Sequence, residues 1–225
     1  MLKILILAAH ELELQPLHQP LATLAAAAGD GLSLELASVG VGLTAAGAGS
    51  ARALGRQGPV DAAILVGSYG RYRGHGDFEP GQLLVPSALE LLDGALLDGR
   101  AAVPDPMPQR LELDADLRGG LIEALALSPA ATRLATTLAI TTDDALAARL
   151  GRAGCEGENL EALAVAEACR LWNVPLGVLL ACTNVVGAAG RAQWLAHRET
   201  AAEATRQALC QWLEHGAPGL SQPLP

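Results

Sequence analysis

Residues 2–9 form an apolar run, broken only by Lys3, that stops at His10, Glu11 and Glu13, and residues 62–66 and 176–182 repeat the pattern. Apolar runs of this length, without polar alternation, predict strands buried on both faces. Between them, residues 44–54, 143–153, 160–172 and 191–215 carry apolar side chains at helical spacing. Strands alternating with helices predict an α/β layer fold, with a mixed, mostly parallel central sheet flanked by helices. Asp143 is placed to cap a helix starting at Asp144, and Asn173-Val174-Pro175 ends a helix before the next strand.

From residue 69 to 108 the chain shifts to Gly, Pro and Asp with scattered charges, which predicts long loops and short strands rather than a linker between domains. The chain of 225 residues, 51% hydrophobic, suits one core. We therefore expect a single domain over residues 1–216, followed by a Pro-rich, frayed tail over 217–225. No internal repeat is visible, and the Ala-rich tracts predict close packing of small-residue helices.

Charge and cysteine usage narrow the partners. The formal charge is -9 and Lys3 is the sole lysine, so no basic stripe exists to neutralise a nucleic-acid backbone. The apolar N-terminal run is too short to span a bilayer and has no small-residue cleavage site, so neither a membrane nor a leader is expected. Cys155, Cys169, Cys182 and Cys210 are widely spaced and lack a CxxC pairing, which predicts a reducing compartment, the cytoplasm. His10, His18, His75, His197 and His215 have no metal-ligand spacing, so no metal is expected, and no cofactor either. Trp172, Trp194 and Trp212 read as helix-packing residues, with Trp194 able to close over a ligand.

The chemistry-bearing residues sit where the predicted strands end, and ligands of parallel sheets bind at such carboxyl ends. The first strand leads into Ala8-Ala9-His10-Glu11-Leu12-Glu13. A phosphate-binding turn would offer glycine amides here; two carboxylates would repel phosphate and suit acid-base work, or else merely decorate a helix N-terminus. Gly40-Val41-Gly42 opens a helix, as a tight turn or a loop approaching an anion or sugar oxygen. Gly67-Ser68-Tyr69-Gly70 reads as a turn at a strand end, either beside a ligand or a plain one. Glu161 stands at a helix start, and Asn184 follows Thr183 just past a buried strand; each alone is equally a dipole partner or a turn residue.

Taken together, these stretches resemble the nucleoside phosphorylase and nucleosidase superfamily, which includes methylthioadenosine/adenosylhomocysteine nucleosidase, purine nucleoside phosphorylase and futalosine hydrolase. Residues 158–187 are similar, without a gap, to that family's Met-Glu helix, Val-Pro strand and Ser-Asp or Ser-Asn turn. Glu13, Gly40-Val41-Gly42 and Gly67-Ser68-Tyr69-Gly70 follow in family order, whereas residues 89–127 find no counterpart. The resemblance implies that Glu13 activates the attacking water and that Glu161 accepts the ribose hydroxyls. Leu160 replaces a methionine under the sugar, and Gly67, Ser68, Asn159 and Thr183 complete the substrate-binding set.

Asn184 stands where adenine-specific members carry a proton-donating aspartate. An amide donates no proton but can hold the edge of a 6-oxopurine. Leu65 occupies the position of the arginine with which phosphorylases grip phosphate, leaving water as the nucleophile unless Arg71 or Arg73 compensates. The resemblance thus implies an N-ribosyl hydrolase acting on a purine nucleoside such as futalosine, and Arg191 with Trp194 is similar to that branch as well. An adenine-type nucleosidase and a phosphorylase are the enzymatic alternatives. A catalytically inactive nucleoside-binding module is another, suggested by Leu160, Asn184 and Leu180 at a further arginine position. A homodimer or larger homo-oligomer is implied too.

Overall fold

The computed structural model describes residues 1–220. The elements run β1 (Leu2–Ala8), α1 (Glu11–Leu14), α2 (His18–Ala28), β2 (Leu32–Ser38), α3 (Leu43–Gln57), β3 (Ala62–Arg71), β4 (Leu83–Leu84), β5 (Ala88–Leu91), α4 (Gly94–Leu97), β6 (Arg110–Glu112), α5 (Ala115–Ala124), β7 (Arg133–Thr136), α6 (Asp144–Gly151), β8 (Gly157–Asn159), α7 (Ala162–Leu171), β9 (Leu176–Val185) and α8 (Gly190–Glu214). Short 3-10 turns at Gln15–Leu17 and Gly29–Gly31 join the early elements.

Among the described residues, nine strands form one mixed, mostly parallel sheet in the order β2-β1-β3-β8-β7-β5-β6, with β9 on the other side of β3 and β4 beyond it. The pairs β1-β2, β1-β3, β3-β9, β5-β7 and β7-β8 are parallel. β3-β8, β4-β9 and β5-β6 are antiparallel.

The apolar run of β1 reflects burial on both faces. Ile4 and Ile6 pack with Leu17, Leu21, Leu121, Leu209 and Trp212 beneath α2, α5 and α8. Leu5 and Leu7 pack with Ala46, Leu54, Leu163 and Ala166 beneath α3 and α7. All four strand residues are fully buried, each worth roughly 1.5–3 kcal/mol of hydrophobic stabilisation. α3 lies close on α7 through small residues: a Cβ on Gly47 would sit 3.7 Å from that of Ala164. Asp143 caps α6 by accepting from Leu146 N at 2.6 Å, and Asn173, with a left-handed φ of 53°, terminates the α7 segment. No described helix is long and apolar enough to cross a membrane. All four cysteines are free and buried.

Three sequence expectations need correction. Gly67-Ser68-Tyr69-Gly70 is not a turn but the last part of β3, and Thr183-Asn184 lies within β9 rather than beyond it. These strands outrun their apolar cores because each pairs with the other past that point, from Gly67 with Leu180 to Arg71 with Val185. Nor is the described part of the tail frayed. Ala217 is fully buried, and the Pro218 carbonyl accepts from Trp212 Nε1 at 3.0 Å. Residues 221–225 of that tail lie outside the described residues.

Candidate active site

A gap in the sheet creates the site. β3 pairs with β1 only as far as Leu65, opposite Leu7, and meets β8 only from Gly70, opposite Glu158. Between those points Ser68 faces no strand on that edge, so its backbone serves side chains instead. Its N–H lies close enough to the Glu13 carboxylate to favour the charged form, and its carbonyl accepts from Asn159 Nδ2 at 3.1 Å. A cleft of about 620 Å³ opens there, with Glu13, Glu161 and Asn184 all on its wall together with Gly67, Ser68, Asn159, Leu160 and Thr183.

Glu13 arrives on α1, the single turn that follows β1. His10 caps this turn by accepting from Leu12 N at 3.1 Å, and Glu13 Oε2 reaches back to His10 N at 3.1 Å, closing a capping box. Burial pushes the Glu13 carboxyl up from 4.5 to about 7; the hydrogen bond from His10 opposes this and the Glu161 charge adds to it. A carboxyl poised there exchanges protons readily near neutral pH. Gly67 makes room for it: with φ at 153°, a Cβ at this position would stand 2.9 Å from Glu13 Oε1. Glu11, by contrast, pairs with His18 at 3.0 Å on the exposed surface and takes no part in the cleft.

Glu161 is the residue before α7, yet its side chain does not cap that helix. Asn159 does, its Oδ1 accepting from the N–H groups of Glu161 and Ala162 at 2.8 Å each. The Glu161 carboxyl turns instead to the Gly42 amide, which donates to Oε1 at 2.8 Å. The glycine turn at residues 40–42 therefore holds a protein carboxylate. Burial also raises the Glu161 carboxyl above its ordinary range. Asn159, expected as a substrate ligand, has both ends of its amide engaged by the protein, Oδ1 by the start of α7 and Nδ2 by the Ser68 carbonyl.

Asn184 is oriented by its neighbours. The buried Thr183 hydroxyl donates to Asn184 Oδ1 at 2.8 Å, and Asn184 Nδ2 donates to Val185 O at 3.2 Å. One acceptor lone pair and one N–H remain for a ligand. Gly70 and Gly190 admit the amide: a Cβ would stand 2.8 and 3.1 Å, respectively, from Nδ2.

Neither downstream arginine replaces the one missing at Leu65. Arg71 is buried, its Nη1 donating to Asp77 O at 2.8 Å and its Nη2 lying 3.7 Å from Glu156. Arg73 is exposed, and neither lines the cleft. Leu65 and Leu180 are core residues.

Two features escaped the sequence reading. Buried Glu158 accepts from Thr141 N at 3.0 Å, Thr141 Oγ1 at 2.7 Å and Tyr72 OH at 3.0 Å, tying down the loop that carries Ile140 to the cleft wall. Burial raises its carboxyl as well. Arg198 lines the cleft beside Arg191 and Trp194, and its i+4 spacing from Trp194 was the available signal.

No protein-family model and no curated protein matches the chain. Solved structures do. The methylthioadenosine/S-adenosylhomocysteine nucleosidase of Colwellia psychrerythraea, solved with adenine, superposes with a TM-score of 0.79 at 19% identity over 98% of each chain. Futalosine hydrolase of Helicobacter pylori gives 0.79 at 16% identity over 95% of this chain and 98% of that one. The S-adenosylhomocysteine nucleosidase of Streptococcus pyogenes gives 0.76 at 19% over 95% and 97%. The chain has the nucleosidase fold. Near-complete coverage extends this nucleosidase fold over residues 89–127, where the sequence resemblance found no counterpart, and at these identities it is the fold that is shared.

Proposed function

We propose that the chain hydrolyses the N-ribosidic bond of a purine nucleoside, with a 6-oxopurine such as that of futalosine as the base. The supporting observation is that Glu13, Glu161 and Asn184, far apart in sequence, line one cleft at a gap in the sheet. In this reading Glu161 accepts the ribose hydroxyls, and its charge favours the oxocarbenium character that develops on the sugar. Glu13 takes a proton from water as the water oxygen bonds to C1′. The bond to the purine breaks and its electron pair leaves with the base, which Asn184 holds by hydrogen bonds. Asn184 supplies no proton, so the departing purine gains its proton from solvent. Water is favoured over phosphate because Leu65 is in the core and Arg71 is held by Asp77 and Glu156.

The same reading includes assembly into a homodimer or larger, since Leu12, Val41 and Ile140 are exposed apolar side chains gathered at the cleft. The free cysteines suit a reducing cytoplasm.

Product analysis with inosine, futalosine and methylthioadenosine, each with and without phosphate, tests the proposal. We expect hypoxanthine-type release with free reducing sugar, independent of phosphate. Ribose 1-phosphate would make the chain a phosphorylase, preferred release of adenine an adenine-type nucleosidase, and tight binding without turnover a binding module.

A further inference from the structure

The loop between β7 and α6 brings Ile140 to the cleft wall, and its placement depends on a buried carboxyl group that the hydrolytic reading leaves unused. Residues 138–140 and 142–144 are exposed, with Leu138 at 70% and Ile140 at 51%, while Thr141 between them is buried. Both donors of Thr141 end on Glu158, the amide on Oε1 at 3.0 Å and the hydroxyl on Oε2 at 2.7 Å. The fully buried Tyr72 gives its hydroxyl to the same Oε2 at 3.0 Å. Thr141 is therefore the plug that seats an otherwise exposed segment, and Glu158 is its socket.

Strand register fixes where this loop stands. Gly70 of β3 pairs with Glu158 on one side and with Asn184 on the other. Residues paired across neighbouring strands share a face of the sheet, and a glycine puts no side chain between its two partners. A Cβ on Gly70 would stand 2.8 Å from Asn184 Nδ2, and Glu158 and Asn184 both line the cleft. The far end of the loop is tied to the same region, since Ala188, four residues past Asn184, donates its N–H to Asp144 Oδ1 at 2.9 Å. Ile140 is thus carried between two anchors that both lie beside the Asn184 amide.

All three groups that meet the Glu158 oxygens are donors. An ionised carboxylate accepts every one of them, whereas an amide or a protonated carboxyl turns a hydrogen of its own on a donor. Burial raises the Glu158 carboxyl, and the bonds from Thr141 and Tyr72 oppose that rise. None of the ion pairs among the described residues includes Glu158, so neutral donors alone satisfy it, two of the three from the loop. Bonds to an ionised acceptor are about twice as strong as neutral ones, which makes Thr141 a firm anchor. We propose that Glu158 is a positioning residue for the base: through Thr141 it holds Ile140 against the purine that Asn184 binds. This rests on the nucleoside reading above. Acting through the loop, Glu158 bears on how tightly the base is held and not on the attack at C1′.

The test follows Glu158→Gln, Thr141→Val and Thr141→Ser by amide hydrogen exchange over residues 138–143, equilibrium binding of free hypoxanthine, and turnover of inosine. In Glu158→Gln we expect exchange in this loop to quicken at least about tenfold and hypoxanthine to bind about tenfold more weakly. KM for inosine should rise by a similar factor while kcat stays within about threefold. Thr141→Val, which keeps the shape and the amide but lacks the hydroxyl, should move the same quantities in the same direction by less. Thr141→Ser, which restores the hydroxyl, should return them to within about twofold of the parent. Should Glu158→Gln fail to fold, the contrast between Val and Ser at position 141 decides the matter. Quickened exchange with unchanged hypoxanthine affinity would reduce Glu158 to a stabiliser of the fold and overturn the proposal, as would a fall in kcat matching the rise in KM. If hypoxanthine binds but no nucleoside is cleaved, the hydrolase reading fails while exchange and affinity still decide the role of Glu158. A parent chain that binds no purine overturns both.

Discussion

Glu13 closes the capping box of α1 with one oxygen while its carboxyl group faces the cleft beside Ser68 and Glu161. That double duty explains why the sequence supports both readings of this residue, helix decoration and catalytic base. A base must be deprotonated to act, so kcat/KM should rise with pH through an apparent pKa near 7 and fall about tenfold per unit well below it. Glu13→Gln should lower kcat by about 10²- to 10⁴-fold while nucleoside affinity changes little. Stability carries the opposite sign. Because burial raises the folded-state value above the ordinary 4.5, folding retains a proton between 4.5 and about 7 that the unfolded chain releases. Glu13 therefore costs least below 4.5 and destabilises increasingly up to about 7. Melting of the Glu13→Gln variant should lack that part of the decline, so its Tm advantage over the parent should be larger at pH 8 than at pH 5.

At the scale of elements, the cores of β1, β3 and β9 were legible because burial on both faces leaves continuous apolar runs. Their ends at the cleft were not. Gly67, Ser68, Gly70 and Asn184 are turn-forming types, and they lie in strands because of partners remote in sequence: Gly67 faces Glu13, and Gly70 faces the Asn184 amide. Local propensity cannot register a contact made across the fold. Gly67→Ala should accordingly reduce turnover severely, by displacing the Glu13 carboxyl, in a chain that still folds. The start of α7 shows the same limit, since Asn159 rather than Glu161 supplies the cap. Asn159→Ala should destabilise the fold by about 1 kcal/mol. By loosening Glu161 it should also raise KM for nucleosides with intact ribose hydroxyls more than for 2′,3′-dideoxy analogues.

Across the whole molecule, the α/β class followed from alternating strand and helix patterns, and the cleft follows from one topological event: β3 leaves β1 and joins β8. The middle of the chain was opaque because β5, β6 and β7 are short and carry charges, such as Arg133 paired with Glu90 at 2.6 Å, that interrupt any apolar pattern. The same region nonetheless supplies core: Leu117 of α5 is fully buried against β9, near Gly177. Leu117→Ala should cost about 2–5 kcal/mol in chemical denaturation, although nothing in the local sequence marks it.

A crystal of the Glu13→Gln variant with a bound 6-oxopurine nucleoside measures the proposed geometry most directly. We expect the base edge on the Asn184 amide, the ribose hydroxyls on Glu161, and a water between C1′ and residue 13. A nucleoside seated outside this cleft, or turned so that its anomeric carbon faces away from residue 13, would contradict hydrolysis at this site.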